Sequence, residues 1–250
     1  MLRVEGITQL FGGLTALEEV TFTVGKGSIT GVIGPNGAGK TTLFNIVTGL
    51  YTPSSGRVFL DGKEITCFPP ERLAPLGLVR TFQNIEMFHQ MTVLENVLVG
   101  LHTRSRSGMI SCALKLPWHL AEERRLHAEA MKWLEFCGIA DLAELEAGAL
   151  PFGNCRLVEI ARAMAVNPKL LLMDEPAAGL NSRETADLEL LIRKIRDTGV
   201  TVVLVEHDME LVMEICDAIV VLNLGKKLAQ GSPREIQENP DVIRAYLGEG

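Results

Sequence analysis

Aromatic side chains are scarce here: 5% of 250 residues, with only two Trp and two Tyr. The interior must therefore be aliphatic, which suits an α/β core filled by Val, Ile and Leu. Basic residues are also short. Lys and Arg number 24 against 31 Asp and Glu, a formal charge of −7, which excludes a general nucleic-acid binder although a local basic patch stays compatible. Nowhere is there an apolar run near the ~18 to 20 residues that a membrane-spanning helix needs. The start, Met1 to Gly6, lacks the apolar region of a secretory leader. Five cysteines (Cys67, Cys112, Cys137, Cys155, Cys216) are scattered without a C-x-x-C pair, so reduced thiols, mostly packing a core, are expected in a cytosolic protein. Repeats, low-complexity tracts and long linkers are missing as well. Mean hydropathy is nevertheless +0.20, high for this charge; a well-filled core and a surface covered by a partner explain it equally.

What is present centres on Gly34-Pro35-Asn36-Gly37-Ala38-Gly39-Lys40-Thr41-Thr42, between the apolar run Ile29–Ile33 and the helix-prone Leu43–Val47. This is a P-loop in its strand-to-helix setting. Glycines let successive backbone N–H groups curl around a polyphosphate, and the helix N-terminus adds a positive dipole. Lys40 is placed to reach the β/γ-phosphates, Thr41 to put its hydroxyl on Mg²⁺, and Thr42 to touch the α-phosphate. The pattern marks a nucleoside triphosphate site.

Along the rest of the chain, short strands are expected around Val4 and Thr21–Val24, a hairpin at Gly56–Leu60 with the turn Asp61-Gly62, a short helix from Pro69-Pro70, and a strand at Leu78–Phe82. From about 84 to 150 the pattern turns helical. Thr92-Val93-Leu94-Glu95 reads as a capping box, and Ala121–Cys137 as an amphipathic helix closed by Gly138. Ser105–Trp118, with Met109, Ile110, Leu114, Leu116 and Trp118, reads as a loop or short helix. The α/β pattern resumes with a helix at about Asn154–Val166, the buried strand Leu170–Met173, a helix at Ser182–Asp197 with the stripe Leu188, Leu191, Ile192 and Ile195, and the strand Val200–Val205. Two last helices start at Ser232-Pro233 and Asn239-Pro240. The expectation is one domain over 1–250: an α/β core (1–83 and 151–250) interrupted by a helical insert (about 84–150).

Three more groups carry chemistry. Leu170–Met173 runs into Asp174 and Glu175, two carboxylates at the C-terminal end of a strand, where open α/β sheets place ligands. Asp174 would hold Mg²⁺ and Glu175 would polarise the attacking water. His207 follows the strand Val200–Val205 and could contact the γ-phosphate; the other histidines, His89, His102, His119 and His127, read as ordinary surface residues. Gln83 ends a strand, with an amide suited to ligating Mg²⁺ or holding the water.

In order and spacing, Gly34–Thr42 (Walker A), Gln83 (Q-loop), Leu170–Glu175 (Walker B) and His207 (switch histidine) resemble the ATP-binding subunits of ABC transporters, over essentially the whole chain. The words Arg80-Thr81-Phe82-Gln83-Asn84, Asp174-Glu175-Pro176-Ala177-Ala178-Gly179-Leu180-Asn181, Glu206-His207-Asp208-Met209 and the tail Asn239–Gly248 look most like the ATPases of branched-chain amino-acid importers. The resemblance implies a RecA-like P-loop NTPase core with an antiparallel β-subdomain and an inserted α-helical subdomain. It also implies Mg²⁺-dependent hydrolysis of ATP by a head-to-tail dimer, with Phe11 at the position that stacks on adenine. As an alternative, Phe11 is an ordinary core residue.

The signature departs from the family. Leu150-Pro151-Phe152-Gly153-Asn154 stands where Leu-Ser-Gly-Gly-Gln is usual, so Pro151 replaces the serine that would bond the γ-phosphate across the dimer, and Asn154 is a shorter amide. Gly153 and the helix N-terminus remain as the contact in trans. Losing one hydrogen bond to a charged group is worth roughly 1.5 to 3 kcal/mol, about one to two decades. Asn181 likewise replaces the usual D-loop aspartate.

The implied partners are a second ATPase subunit (a copy or a paralogue with a complete signature), two transmembrane permease subunits and, indirectly, an extracytoplasmic binding protein, with the chain peripheral on the cytoplasmic face of the plasma membrane. Met87 and Phe88 would touch the permease, or else pack the insert's own core. The alternatives are the ATPase of a lipopolysaccharide-type exporter and a soluble ABC ATPase without a membrane partner.

Overall fold

The computed structural model describes residues 1–102 and 117–247. The expected loop or short helix around Met109, Ile110, Leu114 and Leu116 falls outside the described residues, as do Cys112 and Gly248. The chain forms two compact units, one from Met1–Gln83 with Lys169–Gly250 and one from Asn84–Pro168.

In the first unit, β1 (Leu2–Phe11) and β2 (Leu14–Val24) form a hairpin whose turn glycines Gly12 and Gly13 take φ of 51° and 91°. These strands are far longer than the short ones expected. Register shifts between Val4 and Ile7, Ile7 and Gln9, and Gln9 and Leu10 break the two-residue alternation that would have announced them. Beyond β3 (Ile29–Ile33), β4 (Ser55–Leu60) pairs with β1 and, across Asp61 (φ 48°) and Gly62 (φ 80°), with β5 (Lys63–Glu64). Together they make an antiparallel sheet in the order β2-β1-β4-β5.

The second sheet adds to β3 the strands β6 (Leu78–Thr81), β7 (Leu170–Asp174), β8 (Thr201–Val205), β9 (Ala218–Asn223) and β10 (Lys226–Gly231), in the order β10-β9-β3-β8-β7-β6. All pairings are parallel except that of the edge strand β10. Every residue of β3, β7 and β8 is buried, as parallel strands covered on both faces must be. The core joins both sheets with the buried face of α1 (Lys40–Val47), through Val4, Phe22, Val32, Leu43, Phe44, Leu172, Val203 and Val220 among others.

The short α2 (Pro70–Leu73) starts where expected, at Pro69-Pro70. In the second unit, Thr92 and Glu95 close a reciprocal capping box on α3 (Val93–Leu101), with N–H···O distances of 3.1 and 2.8 Å. Helix α4 (Pro117–Phe136) starts earlier than expected and takes in position 118. Helix α5 (Phe152–Ala165) also starts earlier, directly after Pro151. It packs on α3 and α4, so residues 151–168 group with the helical unit rather than with the core assigned to them from sequence.

Back in the first unit, α6 (Ser182–Asp197) buries Leu188, Leu191, Ile192 and Ile195, the stripe expected. Residues 209–231 carry no assignment from sequence. They form α7 (Met209–Ile215), β9 and β10, and β9 lies beside β3 near the centre of the sheet. The chain closes with α8 (Pro233–Gln237) and α9 (Pro240–Leu247). No helix among the described residues is long and apolar enough to cross a membrane.

Candidate active site

Strands β3, β6, β7 and β8 run in one direction, so the segments that follow them emerge along one sheet edge, where α/β sheets hold their ligands. Between β3 and α1 the P-loop borders a cavity of about 480 Å³, lined by Asn36 to Thr42, by Glu175 and His207, and by Leu14, Thr15, Ala16, Leu224 and Gly225. Two glycines are there because nothing larger fits. A Cβ on Gly34 (φ 154°) would lie 2.1 Å from the Leu222 carbonyl oxygen, and one on Gly39 (φ 99°) would lie 2.6 Å from Leu17 Cδ2. Helix α1 has Gly39 at its N-cap position and so no side-chain cap, which suits an anion as the capping group.

Lys40 is buried, and its Nζ donates to the carbonyls of Gly34 (2.7 Å) and Pro35 (3.0 Å). The ammonium is thus already inside the loop. Burial pushes it below the usual lysine range, and the charges of Glu175 and Asp174 oppose that shift.

Asp174 ends β7 in a buried ion pair, its Oδ2 2.6 Å from Arg80 Nη2. Arg80 also donates through Nη1 to Asn45 Oδ1 (2.7 Å) and Thr48 Oγ1 (3.2 Å) of α1 and the residue capping it. The arginine therefore fastens the helix after the P-loop to the carboxylate expected to serve the metal. Its place within a strand gave no hint of this.

Glu175 follows in a left-handed backbone conformation (φ 46°), unusual for a residue with a side chain. Its Oε2 accepts from Gln83 Nε2 at 2.7 Å, and its Oε1 lies 2.8 Å from His207 Nε2. Three residues singled out from separate stretches of sequence thus meet at one carboxylate. Glu206, also passed over from sequence, is buried beneath them and accepts from the backbone of Ala177 and of His207. Phe11 behaves differently: it ends β1 half exposed, in an edge contact with Tyr51 at 5.6 Å between ring centroids, outside the lining of the cavity.

Residues 17–178 match the ABC transporter family, and residues 226–250 match the family described as branched-chain amino acid ATP-binding cassette transporter. The chain belongs to the ABC transporter ATP-binding family. It is 48% identical over 250 residues to the high-affinity branched-chain amino acid transport ATP-binding protein BraF of Pseudomonas aeruginosa, covering 100% of this chain and 98% of the relative. To the corresponding LivG protein of Escherichia coli it is 45% identical with the same coverage. Among solved structures, a nucleotide-free ATP-binding cassette from an ABC transporter superposes with a TM-score of 0.86 at 35% identity, covering 99% of each chain. The ADP conformation of such a cassette gives 0.86 at 36%, covering 99% of this chain and 98% of that one.

In this cassette Pro151 caps α5 without a side-chain hydrogen bond, and Gly153 is the second helical residue. Deeper in α5, Arg156 and Glu159 form a buried pair at 2.7 Å. Asn181, by contrast, does the local work an aspartate would do. It caps α6, accepting from the amides of Arg183 (3.0 Å) and Glu184 (3.1 Å).

Proposed function

We propose that this cassette is the ATP-binding and ATP-hydrolysing subunit of an importer for branched-chain amino acids. The observation that carries the hydrolytic reading is the meeting of Gln83, Glu175 and His207 at 2.7 and 2.8 Å beside the P-loop cavity. The substrate class rests on the family match of the tail and on the identity to BraF and LivG over the whole chain.

The P-loop fits a polyphosphate: a Cβ on Gly37 would meet nothing within 4 Å, and Lys40 rests on carbonyls whose place phosphate oxygens would take. The metal position suits Mg²⁺, a hard cation that takes oxygen ligands, commonly one or two of them carboxylates, and completes its shell with phosphate and water. Thr41, Asp174 and Gln83 would hold it, and bound there it would neutralise charge on the phosphate oxygens. Lys40 grips the β/γ-phosphates. Glu175 orients the attacking water, and its contact with His207 keeps the carboxylate aimed. His207 contacts the γ-phosphate and Phe11 the adenine. Most of the acceleration comes from positioning and charge neutralisation.

Closure of the site uses Gly153 of a second ATPase subunit, a copy or a paralogue, and the pair works beneath two permease subunits on the cytoplasmic face of the membrane. Phe88 suits contact with a permease: it is 49% exposed, and the buried Asn96 holds its backbone through bonds of 3.1 Å to both N–H and C=O.

Reconstitution with whatever membrane proteins copurify with the cassette after mild detergent extraction tests the reading. ATP-driven uptake of leucine, isoleucine or valine that stops with Glu175→Gln is the expected result. ATPase activity indifferent to those proteins, or uptake of an unrelated solute only, would refute it.

A further inference from the structure

Glu206 follows β8 directly and is 4% exposed. Its Oε1 accepts the Ala177 amide at 2.8 Å, in the turn just past Glu175, and its Oε2 accepts the His207 amide at 3.1 Å. One side chain therefore joins the turn after β7 to the loop after β8. Each of those segments supplies one partner of the 2.8 Å contact between Glu175 and His207.

Neither partner is held by packing alone. The His207 side chain is 45% exposed, and Glu175 sits at a φ that side chains avoid. Apart from Glu206, the turn is tied to β8 by the Glu175 amide, which donates to the Val205 carbonyl at 2.9 Å. A buried carboxylate is expensive to maintain. Burial pushes Glu206 above the usual carboxylate range, the amides of Ala177, His207 and Asp208 oppose that, and Glu175 adds to it.

We propose that Glu206 is a positioning residue for ATP hydrolysis, bridging the Glu175 turn and the His207 loop so that the two side chains stay in register. The proposal rests on the hydrolytic roles given above to Glu175 and His207. The backbone groups that Glu206 receives are all N–H donors and they reach both of its oxygens, so the site needs two acceptor oxygens. A carboxamide offers one, and its NH₂ would face the other donor.

The test uses the full chain with Glu206→Gln and Glu206→Asp. For E206Q the expected result is an ATP dissociation constant within about twofold of wild type and a kcat lower by about ten- to a hundredfold. In a His207→Ala background the same change should cost less than about threefold, because the group it positions is gone. In nucleotide-free protein the His207 imidazole resonances should move in E206Q. E206D, which keeps both acceptors on a shorter stem, should lie between E206Q and wild type, and it supplies the comparison if E206Q does not fold. An unchanged kcat, an unmoved imidazole signal, or equal losses in both backgrounds would overturn the proposal. Should wild type and H207A turn over ATP alike, the role of His207 itself fails, and the imidazole signal still reports on the Glu206 bridge.

Discussion

Replacing Arg80 by Met keeps an unbranched apolar stem and removes the charged guanidinium, stranding Asp174. The two side chains are 6% and 8% exposed and meet at 2.6 Å. Breaking a buried pair on one side costs about 3 to 5 kcal/mol, since the remaining ion keeps its desolvation penalty without its partner. For a chain of this size each kcal/mol moves Tm by roughly 2 to 4 °C, so R80M should melt roughly 6 to 20 °C lower. The double variant R80M/D174N should recover much of that loss, because no ion is then left buried. Added Mg²⁺ with ATP should stabilise R80M more than it does wild type, the cation taking over the neutralisation of Asp174. Thermal melts of the four proteins of this cycle decide the matter. The reasoning is refuted if R80M melts within about 2 °C of wild type, or if D174N lowers the stability of R80M further.

Other outcomes follow from the same geometry. Glu175→Gln should cut turnover by about a hundredfold or more while leaving ATP binding intact, and Lys40→Ala should lose binding, both read by equilibrium nucleotide titration beside a phosphate-release assay. Gly34→Ala should destabilise by about 3 kcal/mol or more, given a Cβ 2.1 Å from a carbonyl oxygen. Gly37→Ala, with open space around its Cβ but a φ of 78°, should cost only about 1 kcal/mol in denaturant unfolding and weaken ATP binding instead. Because the folded-state pKa of Glu206 is raised, the native protein holds its proton longer than the unfolded chain does. Stability should therefore fall as pH rises from the ordinary carboxylate range through that raised value, and E206Q should flatten that part of a Tm-against-pH profile. Pairing this chain with a cassette that has serine in its signature should raise ATPase activity about tenfold over the homodimer, measured at saturating ATP, since Pro151 offers no hydroxyl.

Motifs with a fixed residue type at a fixed spacing made candidates nameable from sequence. Lys40, Asp174, Glu175, Gln83 and His207 were reached from motif order and spacing, and the fold gathers them: Lys40, Glu175 and His207 line one cavity, Gln83 bonds Glu175, and Asp174 ends the strand just before it. The stripe on α6 was equally plain, as periodicity is local. Arg80 was not legible. Its partners Asn45, Thr48 and Asp174 lie 35, 32 and 94 residues away, and only the sheet brings them together. Glu206 was hidden likewise, since its role depends on an amide 29 residues distant. Strands β1 and β2 were underestimated because their bulges erase the alternation. The place of α5 depended on which helices it packs against, a matter of tertiary contact that its own sequence does not record.

The sheet order has a further consequence for how the molecule is made. The strand leading into the phosphate loop is flanked on both sides by segments from the last quarter of the chain, and the Ile29 amide meets the carboxylate of Asp217, 188 residues later. At ribosomal speeds those residues take roughly 10 to 40 s to appear. Until then a strand that ends fully buried has two open edges in the nascent polypeptide, a long exposure that calls for chaperone shelter and leaves any truncated translation product prone to aggregate.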